Sequence, residues 1–162
     1  NVGLELSSDQ HSLKCYMGDT GLLISMTFAE NDLIRGEVQQ RLLTGRLEVN
    51  AGMIVENVVA QMLRAAGMRP CFHIEQDRET GKPTMEVDFL VATSILQRRH
   101  NISPIEVKSS SRYATKSLDK FLGKFADYAS TAYVLHEKDL ECGSDRVFVP
   151  LYMASLIGAK QV

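Results

Sequence analysis

The chain has 162 residues, 44% of them hydrophobic and 23% charged, enough apolar surface for one ordinary domain with a real core. No run approaches the ~18 apolar residues of a membrane-spanning helix, and no basic stretch followed by an apolar one marks a signal peptide, so a cytoplasmic location without membrane attachment is expected. A formal net charge of -2 argues against a surface built throughout to grip nucleic acid, leaving room only for a local basic patch.

Cys15, Cys71 and Cys142 are odd in number and widely spaced, with no CxxC pair, and read as reduced, partly buried thiols. The chain opens on Asn1 with no initiator Met, which suggests a piece of a longer protein or the residue of a processed tag. In "LKCYMGDTGLLISM" a short strand-like start and a Gly18-Asp19 turn precede Leu22, Leu23 and Met26, spaced as the apolar stripe of a short helix. "AENDLIRGEVQQRLL" reads as a second helix, bent near Gly36. These elements form an N-terminal helical appendage over residues 1–48, ahead of a domain over 49–162.

The strongest periodic signal is "NAGMIVENVVAQMLRAAG". Ile54, Val55, Val58, Val59, Met62 and Leu63 form a two-residue-wide stripe at helical period, with Asn50 as N-cap and Gly67 as a left-handed C-terminal cap. Glu56 borders that stripe. "PCFHIEQ" and "MEVDFLVA" are β-prone runs separated by the turn residues of "DRETGKP", and "ISPIEVKS" follows across "TSILQRRHN", so the three predict an antiparallel meander. "SLDKFLGKFADY" puts Leu118, Phe121, Leu122 and Phe125 on one helical face, before the strand "TAYVLH". A strand reached through a helix normally runs parallel to a neighbour, so the order αβββαβ implies an α/β fold with a mixed central sheet flanked by helices. "DRVFVPLYMASLIG" adds a short strand and a final apolar helix or turn.

Three charges interrupt the second and third runs. Strand alternation places Glu86, Asp88 and Leu90 on one face and Val87, Phe89 and Val91 on the other, and sets Glu106 with Lys108 opposite Ile105 and Val107. If the strands are neighbours, one face carries Asp88, Glu106 and Lys108 together, and the opposite face is the core. Close carboxylates repel unless a cation lies between them, and hard oxygen ligands suit Mg²⁺ or Mn²⁺. An ammonium nearby can orient a water or stabilise charge on a phosphate oxygen. Glu56, on its helix beside the strands, would add a third carboxylate, and Glu86, on the strand face of Asp88, reads first as a solvated charge near the turn and second as a substitute ligand.

The order Glu56 on a helix, Asp88 in "EVDFLV", and Glu106 with Lys108 in "IEVKSS" resembles the PD-(D/E)XK superfamily of restriction endonucleases and archaeal Holliday-junction resolvases. More closely, "YMGDTGLL", "NAGMIVENVVAQMLRAAG", "MEVDFLV" and "SPIEVKSS", spread over roughly residues 14 to 157, resemble the domain of unknown function C-terminal to the ATPase module in a prokaryotic AAA-type ATPase family. The resemblance implies a restriction-endonuclease-like core in which Asp88 and Glu106 are metal ligands, Lys108 is catalytic and Glu56 is a supporting ligand. Val87 stands where the superfamily's signature has proline. "ETGKPT" superficially resembles a phosphate loop, but Gln76 replaces its leading Gly and Pro83 its Ser or Thr, so ATP binding would belong to a covalently linked region outside this chain.

Each candidate also has a plain role. A lone Glu-Val-Lys in a strand is usually a cross-strand charge pair, and Glu56 can be a helix-edge carboxylate. His73, His100 and His136 lack paired ligand spacing and read as structural. Arg98 and Arg99 could contact phosphates at a rim, and Ser109 to Ser111, Arg112 and Lys116 approach a helix N-terminus as an anion site or an ordinary cap would. Two functions therefore compete: a Mg²⁺-dependent nuclease-like domain acting on DNA, and a non-catalytic module placing the ATPase on a protein or nucleic-acid partner. A third is a structural domain whose polar cluster merely survives from a nuclease ancestor.

Overall fold

Leu63, Val59 and Ala60, almost wholly buried, seat a 15-residue helix on one side of a six-stranded sheet in the computed structural model, which describes residues 13–29, 40, 51–92 and 101–157. The elements run α1 (Thr20–Ala29), α2 (Ala51–Ala65), β1 (Cys71–Gln76), β2 (Pro83–Ala92), β3 (Ile102–Val107), α3 (Lys116–Lys124), β4 (Ala132–His136), β5 (Glu141–Cys142) and β6 (Arg146–Pro150), closing on a 3₁₀ helix over Leu151–Leu156. The expected αβββαβ order is thus present from α2 to β4. The helix expected over "AENDLIRGEVQQRLL", the Asn50 cap and the arginine loop around Arg98, Arg99 and His100 lie wholly or largely outside the described residues.

The strand order is β1-β2-β3-β4-β6-β5. β1, β2 and β3 pair antiparallel, β4 runs parallel to β3 and to β6, and β5 closes the far edge antiparallel to β6. The two-residue β5 was not anticipated, being too short for any alternation to show. "LKCYM", expected to start as a strand, belongs to no sheet.

Local chemistry sets the ends of these elements. Gly67 takes φ +81, with its N–H on the Arg64 carbonyl and the Met68 N–H on the Leu63 carbonyl, both at 3.0 Å, a Schellman closure that stops α2 at the residue expected. In the β1–β2 turn Asp77 Oδ1 accepts from the Glu79 and Thr80 N–H groups at 3.1 and 2.8 Å, and Gly81 supplies φ +66.

Both faces of the sheet are covered, which corrects the expectation of a single core face. Phe89, Val91, Ile105 and Leu135 pack with Val59 and Leu63 of α2 and with Ala154 of the 3₁₀ helix. On the other side Met85, Val87 and Leu90 pack with Phe121 of α3, and Ala132 and Val134 with Leu118. Each of these side chains larger than alanine, taken wholly from water, stabilises the fold by ~1.5–3 kcal/mol. The expected stripe on α2 is rotated: Asn57 and Ala60 are buried while Val58 is 38% exposed, because Asn57 is used as a polar clamp. Cys15 and Cys142 are exposed and only Cys71 is partly buried, all three as free thiols.

Candidate functional site

The alternation expected along β2 breaks at the aspartate. Cys71 pairs with Leu90 but His73 pairs with Val87, so Asp88 and Phe89 together face Phe72 in a β-bulge. As a result Leu90 packs beside Val87 against α3, and Phe89 joins Val91 against α2. Leu90 therefore does not share the expected face with Glu86, and Phe89 and Val91 do not share Val87's. The extra residue also frees Asp88 from the regular pleat. Its Oδ2 accepts the Val107 N–H at 2.7 Å, bridging from β2 to the end of β3.

Glu106 and Lys108 behave as their spacing predicts. Lys108 Nζ donates to Glu106 Oε1 at 2.6 Å, while Ile105 and Val107 point into the α2 core. Lys108 is fixed at the strand end by its N–H, which donates to the Leu135 carbonyl of β4 at 2.8 Å. Glu106 is only 5% exposed, and its Oε2 has no hydrogen-bond partner among the described residues. Burial raises the Glu106 pKa, opposed by the hydrogen bond and charge of Lys108 and reinforced by the charge of Glu86.

On the other side of Asp88 stands a second ion-pair group. Lys14 Nζ lies 3.0 Å from Glu56 Oε1, 2.8 Å from Glu86 Oε1 and 3.8 Å from Asp88 Oδ1. Tyr16 Oη donates to the same Glu56 oxygen, and its ring packs on Phe89 with centroids 5.5 Å apart. The segment carrying both is held on α2 by amides. Asn57 Oδ1 accepts the Met17 N–H at 2.8 Å, and Asn57 Nδ2 and Gln61 Nε2 donate to the Met17 carbonyl at 3.2 and 3.0 Å. Burial works to lower the Lys14 pKa, but the hydrogen bonds to Glu86 and Glu56 and the charge of Asp88 hold it above the usual lysine value. Burial and the Glu56 hydrogen bond likewise push the Tyr16 phenol up.

Asp88 lies between the two groups and registers both. Burial pushes its pKa up to about 7, the Val107 N–H and Lys14 pull it down, and the charges of Glu106 and Glu56 raise it further. A carboxyl tuned to the neutral range by burial and like charge is a signature shared by catalytic acids, bases and metal ligands.

Asp88 and Glu106 suit a hard divalent cation as a donor pair, and the partnerless Glu106 Oε2 is the kind of buried oxygen such an ion satisfies. Glu56 is engaged by Lys14 and Tyr16, and among the described residues no group of three or more His, Cys, Asp and Glu side chains is disposed to hold a metal. His73 and His136 are structural, as expected. His73 is bonded to Glu75 and edged by Phe121 and Phe125, and buried His136 lies between the Tyr113 hydroxyl at 2.7 Å and the Asp139 carbonyl at 3.1 Å. Ahead of α3, Ser110 Oγ donates to the Arg112 carbonyl, and Thr115 makes no side-chain cap to the helix backbone.

Lys14, Tyr16 and Asn57 escaped the sequence reading. A lone lysine and tyrosine in a polar stretch carry no periodic signal, but the asparagine beside an apolar helical stripe was a usable one, since a buried amide must be satisfied by something distant.

No helix among the described residues is long and apolar enough to cross a membrane. A family model for a domain of unknown function, DUF4143, matches residues 51–155. No curated protein and no solved structure matches the chain.

Proposed function

The chain belongs to the DUF4143 family, a domain of unknown function commonly found with AAA ATPases, and on that footing we propose that it is the nuclease-like module of such an ATPase. In this reading the core is of the restriction-endonuclease-like, PD-(D/E)XK kind, and it hydrolyses DNA phosphodiester bonds with Mg²⁺ or Mn²⁺. The observation that carries it is Asp88, lifted onto a bulge and bonded to the Val107 N–H, between the Glu106–Lys108 pair and Glu56.

Asp88 and Glu106 would hold the cation, with Glu56 or Glu86 in support. A bound divalent ion supplies Lewis acidity and lowers the pKa of water. The Val107 N–H fixes Oδ2 of Asp88 and leaves Oδ1 directed at Lys14. Lys108 carries three donors and spends one on Glu106, so the others serve to orient an attacking water or to take up charge on a phosphate oxygen. Arg112, exposed between β3 and α3, and Lys116, exposed as the first residue of α3, would supply positive charge for a phosphate backbone.

A second reading, a non-catalytic module that binds DNA or protein for the ATPase, is favoured by the lysine already seated among Glu56, Glu86 and Asp88. The two are separated by incubating the chain and its Asp88→Ala variant with supercoiled, linear, single-stranded and branched DNA in Mg²⁺ or Mn²⁺. Metal-dependent cleavage that disappears in the variant supports hydrolysis. No cleavage on any substrate refutes the autonomous nuclease and leaves the binding module.

A further inference from the structure

We propose that Lys14 is a resident counter-ion of the carboxylate cluster, and that the segment carrying it is a strap whose ammonium competes with divalent cations for Glu56 and Asp88. This rests on the metal-dependent reading above and adds to it a built-in occupant that must leave before metal binds.

The charge inventory requires a cation here. Glu56, Glu86, Asp88 and Glu106 face two ammonium groups, Lys14 and Lys108, and Lys108 is committed to Glu106. Lys14 is then the one cation within ion-pair distance of the other three carboxylates among the described residues, and its side chain is 20% exposed. A divalent ion that drew Asp88 and Glu56 together would meet the ammonium at the same oxygens, and like charges at that range exclude each other.

Independent of this cluster, Glu106 Oε2 is buried and without a partner among the described residues, so the site as it stands leaves one ligand oxygen unsatisfied. The ammonium serves Glu56, Glu86 and Asp88 and has no ion pair with Glu106.

The attachment of the strap suits it to release. Residues 13–18 pair with no strand, and beside the Lys14 ion pairs and its approach to the Phe72 ring at 5.7 Å they are held by the Asn57 and Gln61 amides on Met17, the Tyr16 hydroxyl on Glu56 and a ring contact with Phe89. All these amide and hydroxyl groups can exchange their partners for water. Lifting the strap would remove both Lys14 and Tyr16 from Glu56 at once.

The test is Mn²⁺ binding to the full chain, followed by the electron paramagnetic resonance of free Mn²⁺, in the wild type, Lys14→Met, Lys14→Arg and Lys14→Met/Asp88→Ala. Lys14→Met is expected to bind at least about tenfold more tightly than wild type, Lys14→Arg to bind no more tightly than wild type, and the double variant to lose the gain. Equal affinity in wild type and Lys14→Met, with binding still dependent on Asp88, overturns the strap while leaving the metal-dependent site. No binding in any form overturns both.

Should Lys14→Met not fold, the wild type decides alone. Amine acetylation read by mass spectrometry should mark Lys14 several-fold faster at saturating Mn²⁺ than in chelator, with Lys138 as the exposed reference. An unchanged Lys14 rate at saturation overturns the strap.

Discussion

Replacing Asp88 by Asn should stabilise the chain at alkaline pH and do little in acid. An ordinary aspartate titrates at 3.8 and folded Asp88 at about 7. Each pH unit of such displacement corresponds to about 1.4 kcal/mol, so carrying ionised Asp88 in the fold costs on the order of 4 kcal/mol. The folded chain binds this proton more tightly than the unfolded one, so this contribution is fully present below about pH 4 and is lost as pH rises to about 7. Asparagine keeps an oxygen for the Val107 N–H but sets an amide NH2 where Asp88 Oδ1 stood 3.8 Å from the Lys14 ammonium, which offsets part of the gain. Asp88→Asn should therefore be more stable than wild type by about 2 kcal/mol at pH 8, and by less than about 1 kcal/mol at pH 4.5. Urea unfolding in chelator at the two pH values measures this, and taking the difference between variant and wild type cancels the other carboxylates. A variant equal to or less stable than wild type at pH 8 would refute the account of Asp88 as a carboxylate held against burial.

Lys108→Met strips the partner from a buried carboxylate and should cost about 2–3 kcal/mol by urea unfolding at pH 8, with Glu106→Gln in the same background recovering part of it. Asn57→Ala leaves the Met17 N–H and carbonyl short of partners and should cost about 2 kcal/mol, and limited proteolysis should then cut within residues 13–19 faster than in the wild type. Gly67→Ala meets open space but a φ of +81, so thermal unfolding should report a loss of about 1 kcal/mol from backbone strain alone.

Much of this fold was written in local pattern. The stripe on α2 with its Gly67 stop, the meander from Cys71 to Val107 and the helical face of Leu118 and Phe121 all follow from period and turn residues, and the parallel β3–β4 pairing follows from the intervening helix. Glu106 and Lys108 also came out as a pair because β3 keeps a clean period of two. Asp88 did not: a bulge is a break in period, so counting alternate residues past it put Leu90 on the wrong face. The strap was hidden for a different reason. Lys14 and Asn57 act across 40 or more positions of chain, and nothing in a polar stretch of ordinary composition announces which distant helix will hold it. The second core face was hidden because a strand buried on both sides and one buried on a single side differ by only a few residues, here Leu90 and Pro104.

The two edges of the sheet bear on how copies of this chain behave towards one another. An open edge is a template on which a second chain can add a strand, the first step to fibres or insoluble aggregates. Here one edge is β5, two residues long with Glu141 exposed, and the other is β1, whose pairing with β2 slips at both ends, between Cys71 and His73 and again between Glu75 and Gln76. Neither offers the flat, regular ladder that edge-to-edge growth needs. The extra residue that aims Asp88 also kinks the sheet beside its β1 edge, and removing it to regularise β2 would be expected to exchange solubility for symmetry.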